Sequence, residues 1–329
     1  MDPISQGALG AAFAQAASPK KTHSKHYFVA ALAGALAGMA ADLDVLIRSA
    51  SDPLLFLEYH RQFTHSLIFI PVGGLICAAA FFFLFRRRWS LTFRRCYLWC
   101  TAGYASHGLL DACTSYGTLL LWPFSDYRVS WDIISIIDPL FTLPLLLAVC
   151  ASAALGRRRY ALAGLGWILC YLLLGFVQHE RAVSAAIDLA ERRGHEPSDV
   201  QAKPSFANIL VWKTIYSEGD WFYVDAMKVG TGNPTIWEGD RILRLNVARD
   251  FPWLDPASQQ ARDILRFNWF SAGFTAVDPQ NPQRIIDIRY SMLPQQINAL
   301  WGIELSRQAA PDQHVEYFTS RTRGGAAAK

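Results

Sequence analysis

Three short stretches of this chain carry residue types that can hold a divalent cation and support hydrolysis. They are His60-Arg61-Gln62-Phe63-Thr64-His65-Ser66, the pair His107 and Asp111, and Asp42-Leu43-Asp44. Imidazole nitrogen mixed with carboxylate oxygen suits zinc first, with manganese or iron as alternatives. His107 and Asp111 are four apart, so a helix puts them on one face, which Cys100, Tyr104, Thr114 and Ser115 continue as a polar stripe. His60 and His65 are five apart, about 140° around a helix, and would not share a face. With Thr64 or Phe63 as N-cap, His65 falls in the first turn and His60 in the loop before it. A helix N-terminus disfavours imidazolium and keeps His65 neutral, as a metal ligand must be. Arg61 is placed to clamp a phosphate or carboxylate. Asp42 and Asp44 follow a short helix, where carboxylates oppose the macrodipole and need a cation: a divalent ion, Arg48 or Arg61. Each stretch also has a plainer reading: a His–Asp hydrogen bond between helices, interfacial histidines, or solvated loop carboxylates.

These residues sit in an apolar, basic half of the chain. Of 329 residues, 52% are hydrophobic and 18% charged, which argues against disorder and against a nucleic-acid partner. Residues 1–178 hold 14 Lys+Arg against 9 Asp+Glu, whereas 179–329 hold 17 against 18. The first excess is membrane-flanking charge. Ser66–Phe85 is a twenty-residue uncharged run, about enough to cross a ~30 Å hydrocarbon core. Cys96–Phe124, Pro139–Leu155 (extendable back to Ile133) and Tyr160–Val177 complete about four spans. Arg86–Arg88, Arg94-Arg95 and Arg157–Arg159 fall at the same ends of successive hairpins, which the positive-inside rule puts in the cytoplasm. Gly7–Ala17 and Tyr27–Ala41 are short for spans and read as a helical hairpin against the bundle, its turn carrying Lys20, Lys21 and Lys25. A cleaved signal peptide is the competing reading, opposed by Asp2 in the leading segment. Ala33, Gly34, Ala37 and Gly38 permit close helix approach. All six cysteines lie in the apolar segments and read as reduced packing residues.

With that orientation His60, His65, Asp42, Asp44 and Asp138 reach one depth near the outer face. His107 and Asp111, about 16 and 22 Å from the inner end of their span, approach the same level. Several carboxylates beyond one ion's needs would allow a two-metal site. Residues 179–329 then lie on the outer side of the membrane, in the periplasm if the source is Gram-negative. They read as a small α+β domain with an antiparallel sheet. Ile209–Tyr216 and Trp221–Val229 form a hairpin through Ser-Glu-Gly-Asp, with further strands at Arg284–Tyr290, Leu300–Leu305 and His314–Thr319. Ser258–Trp269 is helical, Gly230–Gly239 is loop, and 321–329 is a frayed tail.

At these residues the chain resembles the YdjM-like family of bacterial membrane proteins, described as membrane-bound metal-dependent hydrolases. The resemblance rests on Met1–Gln6, Asp42-Leu43-Asp44, His60–Ser66, Ser106–Asp111 with Thr114–Gly117, Trp122–Phe124, and Ile137–Leu140, and it covers residues 1–178. The family is similar to the zinc-dependent phospholipase C fold, an all-helical scaffold. That likeness implies His60, His65, His107 and Asp111 as metal ligands, with Asp42 and Asp44 as further candidates. Many relatives carry a His where this chain has Gln6.

The leading expectation is a metal-dependent hydrolase working on a phosphoester or lipid-like substrate at the outer membrane face. His60, His65, His107 and Asp111 would ligate the metal, Asp42 or Asp44 would add a ligand or general base, and Arg61 would hold the anion. Membrane lipids are the expected partners. The alternatives are an assembly protein with a structural metal and a proton-coupled transporter.

Overall fold

The computed structural model describes residues 1–20 and 23–320, so Lys21 of the basic turn and the tail 321–329 lie outside the described residues. The chain divides into two compact units. The first comprises Met1–Leu46, His60–Gln178 and Phe206–Ile209; the second comprises Ile47–Tyr59, His179–Ser205 and Leu210–Lys329.

The first unit is helical. Helix α1 (Pro3–Ala16) is capped by Asp2, whose carboxylate accepts from Ile4 and Ser5 N–H, and helix α2 (Ser24–Ala40) continues as a 3-10 turn over Ala41–Leu46. After it come α4 (Ile70–Trp89), α5 (Phe93–Ala112), α6 (Pro139–Leu155) and α7 (Arg158–Arg192), of which the residues from His179 onward belong to the second unit. The short α3 (Leu55–Tyr59) belongs to the second unit. Glycines let α1, α2 and α5 touch backbone to backbone: a Cβ on Gly34 would lie 2.3 Å from the Gly10 carbonyl, and one on Gly103 would lie 2.3 Å from the Gly34 carbonyl. No larger residue permits that approach.

Among the described residues, three helices are long and apolar enough to cross a membrane: Ser24–Leu46, Leu67–Trp89 and Arg158–Arg192. About four spans were expected from sequence, on a partly different set of segments. The N-terminal hairpin's second helix qualifies because its 3-10 extension brings it to 23 residues. By contrast α5 does not: it carries Arg94, Arg95, His107 and Asp111 and ends at Ala112, after which the chain turns irregular rather than continuing to Phe124. Pro139–Leu155 is a shorter apolar helix.

The second unit is sheet-rich. Strands β1 (Ser198–Pro204), β2 (Val211–Glu218), β3 (Trp221–Lys228), β4 (Thr235–Trp237) and β5 (Arg241–Leu243) form one antiparallel sheet, ordered β1-β2-β3-β4 with β5 also on β3. Strands β6 (Thr275–Asp278), β7 (Asn281–Asp287), β8 (Trp301–Glu304) and β9 (Glu316–Thr319) form a second. Glu218 pairs with Trp221 across a two-residue loop with Gly219 at φ 54°, as the Glu-Gly-Asp signal anticipates. Two sheets replace the single one expected. Their inner faces share a core of Ile215, Phe222, Val224, Ala276, Ile286 and Phe318. The stretch read as loop over Gly230–Gly239 contains β4, and β1 was not expected, because its Ser-Asp-Val-Gln-Ala-Lys-Pro lacks alternation. Helices α8 (Val247–Asp250) and α9 (Gln259–Phe270) complete the unit, and α9 packs with Leu54 and Leu57 of the Ile47–Tyr59 segment.

Candidate metal centre

The site is built where α2, α5 and the His60–Ser66 loop converge. His107 and Asp111 point inward from α5, fully buried. His65 arrives on a 3-10 turn (Phe63–His65). It does not open the long helix: α4 begins at Ile70 with a proline in its first turn, where proline is at home. Thr64 therefore caps nothing, and its hydroxyl donates to Asp44 Oδ2 at 2.7 Å. Close approach of the loop depends on Gly108, since a Cβ there would meet the His65 carbonyl at 2.3 Å. Backbone bonds from Leu119 N to the Arg61 carbonyl and from Leu67 N to the Leu120 carbonyl hold the loop from the other side.

The tautomers follow from the neighbours. His107 Nδ1 lies 2.5 Å from the Gly38 carbonyl, which only accepts, so Nδ1 carries the hydrogen. His65 Nδ1 faces Thr64 Oγ1 at 2.9 Å and Asp44 Oδ2 at 3.2 Å, which assigns its hydrogen likewise. With both rings neutral, each presents its Nε2 lone pair, and the two Nε2 atoms are 2.9 Å apart. Asp42 Oδ1 lies 3.4 Å from the first and 3.3 Å from the second, and Asp111 Oδ2 lies 3.3 and 3.7 Å from them. Four bases thus surround one point, and Asp111 Oδ2 accepts no hydrogen bond. Zinc bonds of 2.0–2.1 Å imply a tetrahedron with edges of about 3.3–3.4 Å. Five of the six edges here run from 2.9 to 3.7 Å. The group could hold a metal ion, and the donor set fits one.

Around this group stands a layer of supports. Asp44, buried, receives His60 Nδ1 at 2.7 Å, the Arg61 N–H at 3.0 Å and the Thr64 hydroxyl; it lies outside the four-atom group, and with Asp42 and His60 it makes a second group that could hold an ion. A carboxylate behind a ligating histidine is the usual second layer of a metal site. His60 is thereby separated from the four-atom group: it meets Asp42 and Asp44 in a second cluster, with its side chain 30% exposed. Asp42, 26% exposed at its side chain, belongs to both clusters. Arg61 takes φ 65°, rare outside glycine, so that its N–H meets Asp44 while its guanidinium turns to Asp111. Nε is 3.1 Å from Asp111 Oδ2 without an aligned N–H, while Nη1 donates to Thr114 Oγ1 at 3.2 Å. Gln6 donates to Asp111 Oδ1 at 2.8 Å, beside the amine of Met1.

Asp138 is not part of this group. It caps α6, accepting from Leu140 and Phe141 N–H, and receives the Tyr171 hydroxyl at 2.8 Å. The contacts of Thr64 with Asp44 and His65, and the Gly38 carbonyl, were missed from sequence. Thr64 was available as a polar residue between two histidines, whereas nothing in a sequence singles out one backbone carbonyl.

The comparisons agree with the helical half. The family model for the YdjM inner membrane protein matches residues 1–182. Inner membrane protein YbcI of Escherichia coli (strain K12) is 37% identical over 108 residues, 32% of this chain and 60% of that protein. The uncharacterized protein YfhP of Bacillus subtilis (strain 168) is 25% identical over 146 residues, 44% of this chain and 41% of that protein. The chain thus spans about half the length of the curated relatives it matches. No solved structure matches it. The chain belongs to the YdjM inner membrane protein family.

Proposed function

We propose that the protein is a membrane-bound metal-dependent hydrolase acting on a phosphoester or lipid-like substrate at the outer face of the membrane. The observation that carries this reading is the pair of converging Nε2 lone pairs flanked by two carboxylates, one of them, Asp42, partly exposed. His65, His107, Asp111 and Asp42 would hold the ion, with zinc favoured by the tetrahedral edges and the mixed donors. Such an ion would polarise a phosphoryl or acyl oxygen and make a water acidic near neutral pH. The remaining work falls to the chain. Asp44 holds His65 in the ligating tautomer and pairs with His60, whose side chain is 30% exposed. Arg61 offsets the buried carboxylates and offers positive charge to an anionic substrate. The outer position of the site and of residues 179–329 rests on the arginine clusters at the opposite helix ends.

The test is the metal content of detergent-purified protein by elemental mass spectrometry, beside His65→Ala and His107→Ala. About one ion per chain in the wild type, lost in both variants, is the expected result. A folded wild type without stoichiometric metal would overturn the proposal. One observation favours a second reading: four protein donors close a tetrahedron, which is the habit of structural zinc. Metal that is present and needed for folding, with no turnover of long-chain or soluble phosphodiesters, would select an assembly role.

A further inference from the structure

A groove of about 410 Å³ runs between α2, α4 and α5. Its walls are almost wholly apolar, and its floor is Tyr104, pressed against Gly73, where a Cβ would lie 2.3 Å from the ring. The Tyr104 hydroxyl is satisfied by the Thr64 carbonyl at 2.7 Å, so the floor offers no free donor. Two of its walls, α2 and α4, are among the helices long and apolar enough to cross a membrane, so the groove opens toward hydrocarbon. Ile76 is 59% and Leu84 73% exposed on its rim. From Gly73 to Phe85, both lining residues, is about 18 Å at 1.5 Å per residue, close to one leaflet of a ~30 Å core.

One end of the groove adjoins the metal centre. Thr64 lines it, and the same residue's hydroxyl touches Asp44 Oδ2 and His65 Nδ1. Leu43 also lines it, between Asp42 and Asp44. An occupant of the groove therefore ends against Thr64 and Leu43, each next in sequence to a residue of the site, although none of the four donor residues lines the groove itself. The occupant follows from the walls and the length: an almost wholly apolar groove about 18 Å long, flanked by helices able to cross a membrane, matches one extended acyl chain, and its volume lies within the range of small-ligand pockets.

We infer that this groove seats one acyl chain of a membrane lipid and delivers that lipid's headgroup linkage to the metal centre. This deepens the hydrolase reading by naming the substrate as an acyl lipid, and it rests on that reading only for the reaction. Chain binding is a separate matter and is tested separately. The full chain is reconstituted in dioleoylphosphatidylcholine vesicles containing a trace of phosphatidylcholine with a mid-chain diazirine. After illumination, adducts are mapped by peptide mass spectrometry. Adducts on Ile76, Ala80 and Leu84 should exceed those on Leu147 of α6 and Leu173 of α7, which are exposed outside the groove, by at least fivefold. Ala80→Trp, which fills the groove from an exposed position, should remove the excess, and Leu147→Trp should leave it. Labelling spread evenly over all exposed apolar residues would overturn the inference even if the protein hydrolyses lipids. Concentrated labelling without hydrolysis would uphold the groove and count against the enzyme.

Discussion

Both units bury ionisable groups, but they finish them differently. In the sheet unit every such group named here meets partners that complete it. Arg289 grips both oxygens of Asp287 and donates to the Phe270 carbonyl, and Arg193 grips both oxygens of Asp225 and reaches Tyr216 and Glu238. In the helical unit the support layer around Asp44 is equally complete, yet the four atoms it surrounds converge on one point, with Arg61 Nε beside only one of them, Asp111 Oδ2. Buried polar groups left in that state cost free energy. The contrast is between ion pairs that complete themselves and a group that could hold a cation.

The largest effects should come from removing a buried carboxylate in each unit. Asp111→Ala and Asp287→Ala each leave a buried arginine, Arg61 or Arg289, without its counter-charge. Both should lose about 3–5 kcal/mol of stability. Added zinc distinguishes them. A ligand that binds only the folded state raises its stability by RT ln(1 + [L]/Kd). Zinc titrated against thermal unfolding should therefore raise Tm in the wild type and in Asp287→Ala, and leave Asp111→Ala unmoved. An equal response in all three would erase the distinction between the units.

A smaller effect probes the support layer. Asp44→Asn keeps the shape but turns an amide N–H toward groups that are already donors, and frees the His65 tautomer. Loss of such a second-layer partner weakens metal affinity about 10- to 100-fold. Isothermal titration with zinc should register that drop while the metal still binds at one per chain. An unchanged affinity would show Asp44 to be a bystander.

Much of the site was legible because its chemistry is local in sequence. His107 and Asp111 share a helix face by spacing alone, and Asp42, Asp44, His60 and His65 stand out as polar residues beside apolar runs. What the sequence hid was which partner each would take. His60 and His65 are separated by one tight turn, and Arg61 at positive φ sends them to different sides of Asp44, a backbone choice with no residue signature outside glycine. The long apolar runs revealed α4, α6 and α7, whereas the Ala/Gly-rich α2 looked short because a 3-10 extension does not follow helical periodicity. In the sheet unit the alternating strands were visible. The placement of Ile47–Tyr59 with that unit was not, since it depends on Leu54 and Leu57 finding α9 more than 200 positions later.

The sheet unit does hold one buried group near its titration point. Burial pushes the Lys213 ammonium down to about 7, against an opposing pull from Asp287. Nζ donates to Ser291 Oγ and the Gln296 carbonyl, both at 2.8 Å, and a neutral amine has just two such hydrogens. The unfolded chain holds the proton up to the ordinary lysine range, so between about pH 7 and 10 it binds more protons than the folded one. Stability from this group should rise with pH across that window, by up to about 1.4 kcal/mol per pH unit, and level off below it. Urea unfolding followed by tryptophan fluorescence at pH 7, 8 and 9 should show the slope, and Lys213→Met should flatten it. The same slope in the variant would assign the pH dependence elsewhere.

The smallest expected effect tests whether the metal centre is self-contained. Between Asp44 and His60, which touch in the helical unit, the chain gives Ile47–Tyr59 to the sheet unit. There Arg266 of α9 ties it down, with Nη2 on Asp52 at 2.7 Å, Nε on Glu58 and Nη1 on Asp263 at 2.9 Å. Arg266→Ala would leave three carboxylates facing one another. The arginine side chain is 20% exposed, so the loss should stay near about 1 kcal/mol. Amide exchange over 47–59 should quicken first, because a segment held by few buried side chains opens before the sheets do. Zinc affinity should fall by less than about threefold, because Asp44 keeps the Arg61 N–H and the Thr64 hydroxyl, neither of which passes through that segment. A tenfold fall would mean that the sheet unit sets the geometry of the His60–Asp44 pair, and the two ways of burying charge would then be coupled rather than separate.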